Sequence, residues 1–325
     1  MNIPPTLAIV VPCYNESAVF PQTLHTLGTL LHELITTGEI SADSYLLFID
    51  DGSRDDTWQQ IAAAQSAQVR GIKLSRNAGH QTALMAGLAA IDCDISISID
   101  ADLQDDITCI PKMIAAYKSG SDIVYGVRND RSSDSAFKKY SANSYYKIMG
   151  WLGVQQIPNH ADYRLMSRRA VNALLSYKEN NLYLRGMIPL LGFPSSAVYY
   201  QRKERLAGES KYPLRKMLAL ALEGITSHSI IPLRLISLLG ITTSLITFFV
   251  GIYAISVKFG GGAVDGWTSL ILSIFFLGGV QLVCLGIIGE YTGKIYLESK
   301  HRPKYFIEAA TFTPQRHEDN NGGGR

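Results

Sequence analysis

Short apolar runs recur along the first part of the chain, each closed by a polar cluster and followed by a longer mixed stretch. Residues 7–12, 45–49, 69–74, 95–99 and 123–127 are aliphatic and β-branched over lengths that suit buried strands. The stretches between them carry helical spacing. Ser17 stands as an N-cap for a helix through about Ile35, and a small-residue helix is predicted over 81–90. Strands alternating with helices predict a mostly parallel, Rossmann-like α/β sheet wound with helices.

The polar clusters all follow strands. They read Cys13-Tyr14-Asn15-Glu16-Ser17, Asp50-Asp51-Gly52-Ser53, Ser75-Arg76-Asn77-Ala78-Gly79-His80 and Asp100-Ala101-Asp102-Leu103-Gln104-Asp105, with Arg128 and Arg131 after the fifth run. In an open α/β sheet the carboxyl ends of the strands face the ligand crevice. Asp100 and Asp102, in D-x-D spacing, form with the Gln104 amide an oxygen-only cradle suited to a hard divalent cation, Mg²⁺ or Mn²⁺. An isolated D-A-D is more often a solvated acidic turn. Polar clusters after strand upon strand turn the balance toward a site. The turn after the first strand holds no glycine and a P-loop is missing, which argues against a nicotinamide or flavin enzyme.

Net charge is +2 over 325 residues, so nothing global argues for nucleic acid. The basic residues gather after Lys138 and around the apolar C-terminal segments, a membrane-surface pattern. Cys13, Cys93, Cys109 and Cys284 show no paired spacing and read as free, reduced thiols facing the cytosol. Cys13 reads as a small buried residue before a nucleophile. The N-terminus has no signal-peptide pattern, which leaves the first half on the cytoplasmic side.

Residues 235–257 and 267–288 contain no charge. Each run is long enough to cross about 30 Å of hydrocarbon at a rise of about 1.5 Å per residue. Cations on both flanks, Arg215, Lys216 and Arg234 before and Lys294, Lys300, Arg302 and Lys304 after, predict that both termini are cytoplasmic. Two further stretches, 137–152 and 212–230, mix apolar residues with lysines or arginines at helical spacing, as amphipathic helices of the headgroup layer do. The tail from Thr311 is polar and predicted to be disordered.

Taken together, these residues resemble a family 2 glycosyltransferase of the GT-A fold, of the bacterial polyisoprenyl-phosphate type related to dolichol-phosphate mannose synthase and to bactoprenol glucosyltransferases. The resemblance is carried by Val11-Pro12-Cys13-Tyr14-Asn15-Glu16, Asp50-Asp51-Gly52-Ser53, Arg76-Asn77-Ala78-Gly79-His80, the Asp100 to Asp105 run and Asp162-Tyr163-Arg164-Leu165-Met166-Ser167-Arg168. It continues in Glu204-Arg205-Leu206-Ala207-Gly208-Glu209-Ser210-Lys211-Tyr212 and Gly289-Glu290-Tyr291-Thr292-Gly293-Lys294-Ile295-Tyr296. It implies that Pro12, Tyr14, Glu16, Asp50, Asp51, Asp100 and Arg128 surround the nucleotide sugar, and that Asp100, Asp102 and Gln104 hold the metal. Asp162 takes the place of the catalytic base or an acceptor-orienting group; its plain alternative is a carboxylate paired with Arg164 or Arg168. Cys13 and His80 stand at variable positions of the pattern and receive no role.

The expected acceptor is a lipid monophosphate, with Arg131, Arg205 and Lys211 as its cations and Ser210 as a supporting donor. The expected organisation is a GT-A domain over 1–210, a juxtamembrane amphipathic helix over 211–231, a two-helix transmembrane hairpin over 232–290 and a cytoplasmic tail over 291–325. The expected reaction is inverting, metal-dependent transfer of a hexose, glucose from UDP-glucose, to undecaprenyl phosphate at the bacterial cytoplasmic membrane. The alternatives are another donor, such as GDP-mannose, UDP-N-acetylglucosamine or a modified pentose nucleotide, and a membrane-anchored sugar-nucleotide-binding subunit without turnover. The resemblance also allows a homo-oligomer, and Gln281 within the second span is a candidate for helix pairing.

Overall fold

The structure, a computed structural model, describes residues 3–128, 160–179, 182–201, 231–260 and 266–313. The predicted interface helices over 137–152 and 212–230 lie outside these residues. The five predicted strands form as β1 (Leu7–Cys13), β2 (Tyr45–Asp50), β3 (Val69–Leu74), β4 (Ile95–Ser98) and β5 (Ile123–Arg128). Three more join them: β6 (His160–Ser167), β7 (Ser195–Tyr200) and β8 (Ile307–Ala310). The sheet order is β7-β5-β6-β4-β1-β2-β3-β8. β6 is antiparallel to both its neighbours and β8 is antiparallel to β3, while every other pairing is parallel.

Strict alternation along the strands builds two cores. Leu7, Ile9 and Val11 face α1 (Phe20–Thr36) and α4 (Ile110–Lys118), with Ile61 of α2 (Thr57–Ala63) in the same cluster. Ala8 and Val10 face the opposite way, toward α3 (His80–Ala90), α5 (Arg168–Leu175) and α6 (Leu184–Leu190). The small residues of α3 have a packing reason. A Cβ at Gly87 would come within 2.6 Å of both Val10 and Ile49, so this helix sits closer to the sheet than a larger residue permits.

Two expectations are corrected. Ser17 does not cap α1, which starts at Phe20 behind Val19. The backbone of Ser17 is held elsewhere: its N–H donates to Asp55 Oδ2 at 3.1 Å and its carbonyl accepts from Gln60 Nε2 at 3.1 Å. The chain beyond 290 is also more than a tail. The second long helix runs on to Ser299, and β8 then covers the edge of β3. Thr311 extends that docking, with its N–H donating to Gly71 O at 3.0 Å and its Oγ1 accepting from Gly71 N at 2.9 Å.

The chain divides into two compact units, the sheet with its helices and β8, and a second unit that ends at His301. The second contains α7 (Ile231–Phe259) and α8 (Trp267–Ser299). Over Ile231–Tyr253 and Phe276–Ser299 they are long and apolar enough to cross a membrane. Their apolar side chains stand open, Phe249 at 65% and Leu282 at 72%, as in helices that need an apolar surrounding.

Candidate active site

The carboxyl ends of β1 to β5 share one edge of the sheet, and β6, running the other way, begins there. Ser98 at the end of β4 pairs with Arg164, and its hydroxyl donates to the Asp162 carbonyl at 2.6 Å. One edge therefore gathers Tyr14, Asp50, Asp51, Asp100, Arg128 and Asp162.

On the β1 to β3 side the loops are laced to one another through backbone groups. Asp51 accepts from the N–H of Ala78 at 2.7 Å and of Gly79 at 2.9 Å, so both its oxygens hold the loop before α3. Gly52, at φ +66°, lies against that loop, and a Cβ there would meet the Arg76 carbonyl carbon at 2.5 Å. Asn15, in the left-handed region at φ 55°, accepts from Arg54 N at 2.8 Å, while its own N–H donates to Ser53 Oγ at 2.9 Å. Asp50 is fully buried; Oδ1 accepts from Ser53 N at 3.2 Å, Oδ2 has no hydrogen-bond partner among the described residues, and burial pushes its carboxyl up. Pro12 is buried, Glu16 half-buried, and Tyr14 exposed. Cys13 is buried, its thiol pushed up by that burial and by the acids around it, which agrees with a packing role.

The acidic loop after β4 is held at both ends. Thr23 Oγ1 of α1 donates to the Ala101 carbonyl at 2.6 Å, and Tyr163 Oη donates to the Asp106 carbonyl at 3.1 Å. Between these anchors Leu103 turns through the left-handed region at φ 49°, and Gln104 N donates to Asp102 Oδ1 at 3.2 Å. The Gln104 side chain is buried. Asp105, also buried, accepts from Tyr200 Oη and from Arg128 Nη2 at 3.2 Å, and Arg128 Nε donates to Tyr200 Oη at 3.3 Å. Arg128, expected near the nucleotide sugar, is thus aimed by Asp105 and by the last residue of β7.

Asp162 is the most heavily partnered acid of the edge. Arg164 Nη2, fully buried, donates to its Oδ1 at 2.5 Å. Arg185 of α6 adds Nε to Oδ1 at 3.3 Å and Nη2 to Oδ2 at 3.2 Å. His80 Nε2 stands 3.7 Å from Asp162 Oδ2 and 3.5 Å from Asp100 Oδ1. Burial opposes the charge on Asp162, yet Arg164 and Arg185, with His80, hold its carboxyl well below the usual range. Asp100 goes the other way. Burial pushes it up, His80 opposes, and Asp162, Asp105 and Asp102 add to the rise. Of the two arginines the sequence offered as partners of Asp162, Arg164 takes the place and Arg168 does not, pairing instead with Asp92 at 2.6 Å.

Asp100 and Asp102 offer oxygen donors only, the chemistry that Mg²⁺ or Mn²⁺ prefers. The crowded acids that raise Asp100 create repulsion of the kind a bound divalent cation relieves. Among the described residues no three His, Cys, Asp or Glu side chains converge on a closed metal cage. The pair fits an ion that completes its shell with water and substrate phosphate oxygens. Arg131, Arg205, Ser210 and Lys211 lie outside the described residues. Sequence reasoning named neither Arg185 nor Tyr200 and assigned His80 no role; the fold brings all three against the acids of this edge. Arg185 did carry a signal, as the one cation in the apolar stretch 182–191.

A mostly parallel sheet with paired acids after its fourth strand belongs to a recognisable class. Residues 8–175 match the model of Glycosyl transferase family 2, and the chain belongs to that family; it is a glycosyltransferase. An uncharacterized glycosyltransferase of Bacillus subtilis (strain 168), YkoT, is 49% identical over 315 residues, 96% of this chain and 94% of that protein. The bactoprenol glucosyl transferase of Shigella phage SfV is 40% identical over 307 residues, 93% of this chain and 98% of that protein. Among solved structures, glucosyl-3-phosphoglycerate synthase of Mycobacterium tuberculosis is similar with a TM-score of 0.45 at 18% identity, covering 68% of this chain and 78% of that one.

Proposed function

We propose that this glycosyltransferase moves glucose from UDP-glucose to undecaprenyl phosphate at the cytoplasmic face of the bacterial inner membrane, inverting the anomeric carbon. The observation behind the reading is Asp100 and Asp102 beside Asp162 at one sheet edge, in a chain 40% identical to a bactoprenol glucosyl transferase over 93% of its length. Two helices long and apolar enough to span a bilayer suit a lipid acceptor, and the cations that flank the apolar runs favour both termini on the cytoplasmic side.

In this reading Pro12, Tyr14, Glu16, Asp50 and Asp51 surround the base and ribose, and Arg128 faces the diphosphate. Asp100 and Asp102, with Gln104, hold Mg²⁺ or Mn²⁺, which when bound supplies Lewis-acid stabilisation of the departing diphosphate. A phosphate oxygen of the lipid attacks the anomeric carbon, the bond from that carbon to the diphosphate oxygen breaks, and UDP leaves. The lipid phosphate is already ionised near neutral pH, so no strong base is required. Arg131, Arg205, Ser210 and Lys211 receive that phosphate. A single displacement turns an α-linked donor into a β-linked lipid product.

The test is transfer of label from UDP-glucose into a solvent-extractable lipid by purified full-length protein with undecaprenyl phosphate, in Mn²⁺ or EDTA. The expected result is labelled lipid that needs metal and acceptor, and that falls about 10³-fold in an Asp102→Asn variant. Label from a different nucleotide sugar corrects the donor. No lipid product from any nucleotide sugar, with nucleotide still bound, overturns the reading in favour of a binding subunit.

A further inference from the structure

We infer that Arg185 contacts a substrate phosphate in this transferase, and that Asp162 serves the reaction by holding Arg185 in place rather than by taking a proton. The inference rests on the reading of transfer to a phosphate acceptor.

The placement of Arg185 is rigid. It lies in α6 beside Leu184 and close to Met187 and Ile188, all three buried in the core, and Leu184 N donates to Gln81 Oε1 at 3.0 Å. A helix pinned on that face cannot rotate, so its arginine is fixed on the other. There the guanidinium lies against Asp162 through two parallel bonds, the fork geometry that limits where an arginine can point.

Exposure then separates the two guanidiniums that Asp162 accepts from. Arg164 is 1% exposed, sealed beneath the edge, whereas Arg185 is 43% exposed. Of the two cations, Arg185 is the one a substrate can reach. The imidazole of His80, within 4 Å of both Asp162 and Asp100, links this cation to the acid pair proposed to hold the metal. Both substrates of the proposed reaction bring phosphate to that acid pair, and a planar guanidinium is suited to bind it bidentately. Asp162 is poorly arranged as a base. Both its oxygens already accept from guanidinium N–H groups, which occupy the positions a transferred proton would take.

The phosphate belongs either to the donor diphosphate or to the acceptor lipid, and steady-state kinetics separate the two. Full-length wild type, Arg185→Ala, Arg185→Lys, Asp162→Asn and the double variant Arg185→Ala with Asp162→Asn are assayed against varied UDP-glucose and varied undecaprenyl phosphate. Arg185→Ala is expected to lower kcat/KM about 100-fold, the scale of one lost charge-stabilising group. A raised KM for UDP-glucose assigns the contact to the diphosphate, a raised KM for undecaprenyl phosphate to the acceptor, and a fall in kcat alone to a phosphate contact made in the transition state. Arg185→Lys keeps the charge without the fork and recovers about tenfold.

The double variant is expected within threefold of Arg185→Ala, because Asp162 acts through the arginine. Losses that multiply in the double variant give Asp162 an independent role and overturn the positioning half of the inference. Activity of Arg185→Ala within threefold of wild type overturns the phosphate contact. Thermal unfolding of each variant accounts for any damage to folding; Arg185, half-exposed, is replaced without opening a cavity. If wild type itself gives product only from another nucleotide sugar, the same cycle runs with that donor. If wild type gives no lipid product at all, the reaction it rests on has failed first.

Discussion

The two flanks of the sheet edge hold their acids in opposite ways. On the β2 and β3 side, Asp51 ends on the backbone N–H groups of Ala78 and Gly79, and Asp55 on those of Ser17 and Thr57 together with the Thr57 hydroxyl. On the β4 and β6 side, Asp105 and Asp162 end on side chains, with Arg128, Arg164 and Arg185 facing them. Carboxylates tied to main chain fix the course of loops and can give a preformed cradle. Carboxylates tied to guanidiniums aim cations, and each aim depends on one or two side chains. In the proposed reading one flank meets the flat base of the nucleotide and the other meets phosphate charge, and each device suits its task.

The comparison breaks most visibly at the buried ion pair. Arg164→Met removes the buried partner of Asp162, and breaking such a pair costs about 3–5 kcal/mol. The expected result is a clearly lowered thermal midpoint of the detergent-solubilised protein. A loss below about 1 kcal/mol would mean that Arg185 alone balances Asp162 and that the ionic flank is not dependent on single partners. The other flank has its own weak point at Gly52. Gly52→Ala adds a Cβ 2.5 Å from the Arg76 carbonyl carbon at a φ of +66°. The expected cost is about 2–3 kcal/mol, with nucleotide affinity falling alongside stability. Unchanged nucleotide binding by calorimetry would separate this turn from the site.

Much of this was legible in the sequence because period and punctuation agree. The five strand runs of the first half were read within two residues of their bounds, since each is apolar and each ends in a polar cluster. The acids after β2 and β4 were legible for the same reason. The strands β6, β7 and β8 were not predicted. β7 reads Ser195-Ser196-Ala197-Val198-Tyr199-Tyr200, too polar at its start to stand out, and β8 is four residues that gain meaning only against the open edge of β3. Arg185 stayed hidden because its partner Asp162 lies 23 residues away, and only the reversal of β6 brings them together. Asp51 was legible only in part. Its motif pointed to a ligand, and the fold adds a second task, because its oxygens hold the loop before α3.

A smaller effect sharpens the ionic flank. Tyr200→Phe deletes one hydroxyl from the buried group around Asp105 and leaves Arg128 as the remaining partner. A hydrogen bond to a charged group is worth about 1.5–3 kcal/mol. The expected loss lies at the low end, about 1.5 kcal/mol, because Arg128 still neutralises the acid. If Tyr200 matters by steering Arg128, KM for the nucleotide sugar rises while kcat changes little; a pure stability loss with unchanged KM confines Tyr200 to packing.

The smallest expected effect is one of pH, and it divides the backbone-tied flank itself. Asp55 is opposed by partial burial but accepts from Thr57 and Ser17, and these bonds lower its carboxyl to about 2. A carboxyl lowered in the folded state adds stability that is complete above its unfolded value near 4 and is lost as pH falls toward 2. The difference in stability between wild type and Asp55→Asn should therefore be widest above pH 4 and close as pH approaches 2. Asp50, whose carboxyl burial pushes up, has the opposite sign. Its folded state binds the proton more readily than the unfolded chain, so wild type loses ground to Asp50→Asn as pH rises through the carboxylate range. Thermal midpoints of the three proteins between pH 3 and pH 6, about the range in which these groups titrate, should show slopes of opposite sign. Parallel slopes would mean that burial of Asp50 is relieved in solution, and the cradle would then be looser than its hydrogen bonds suggest.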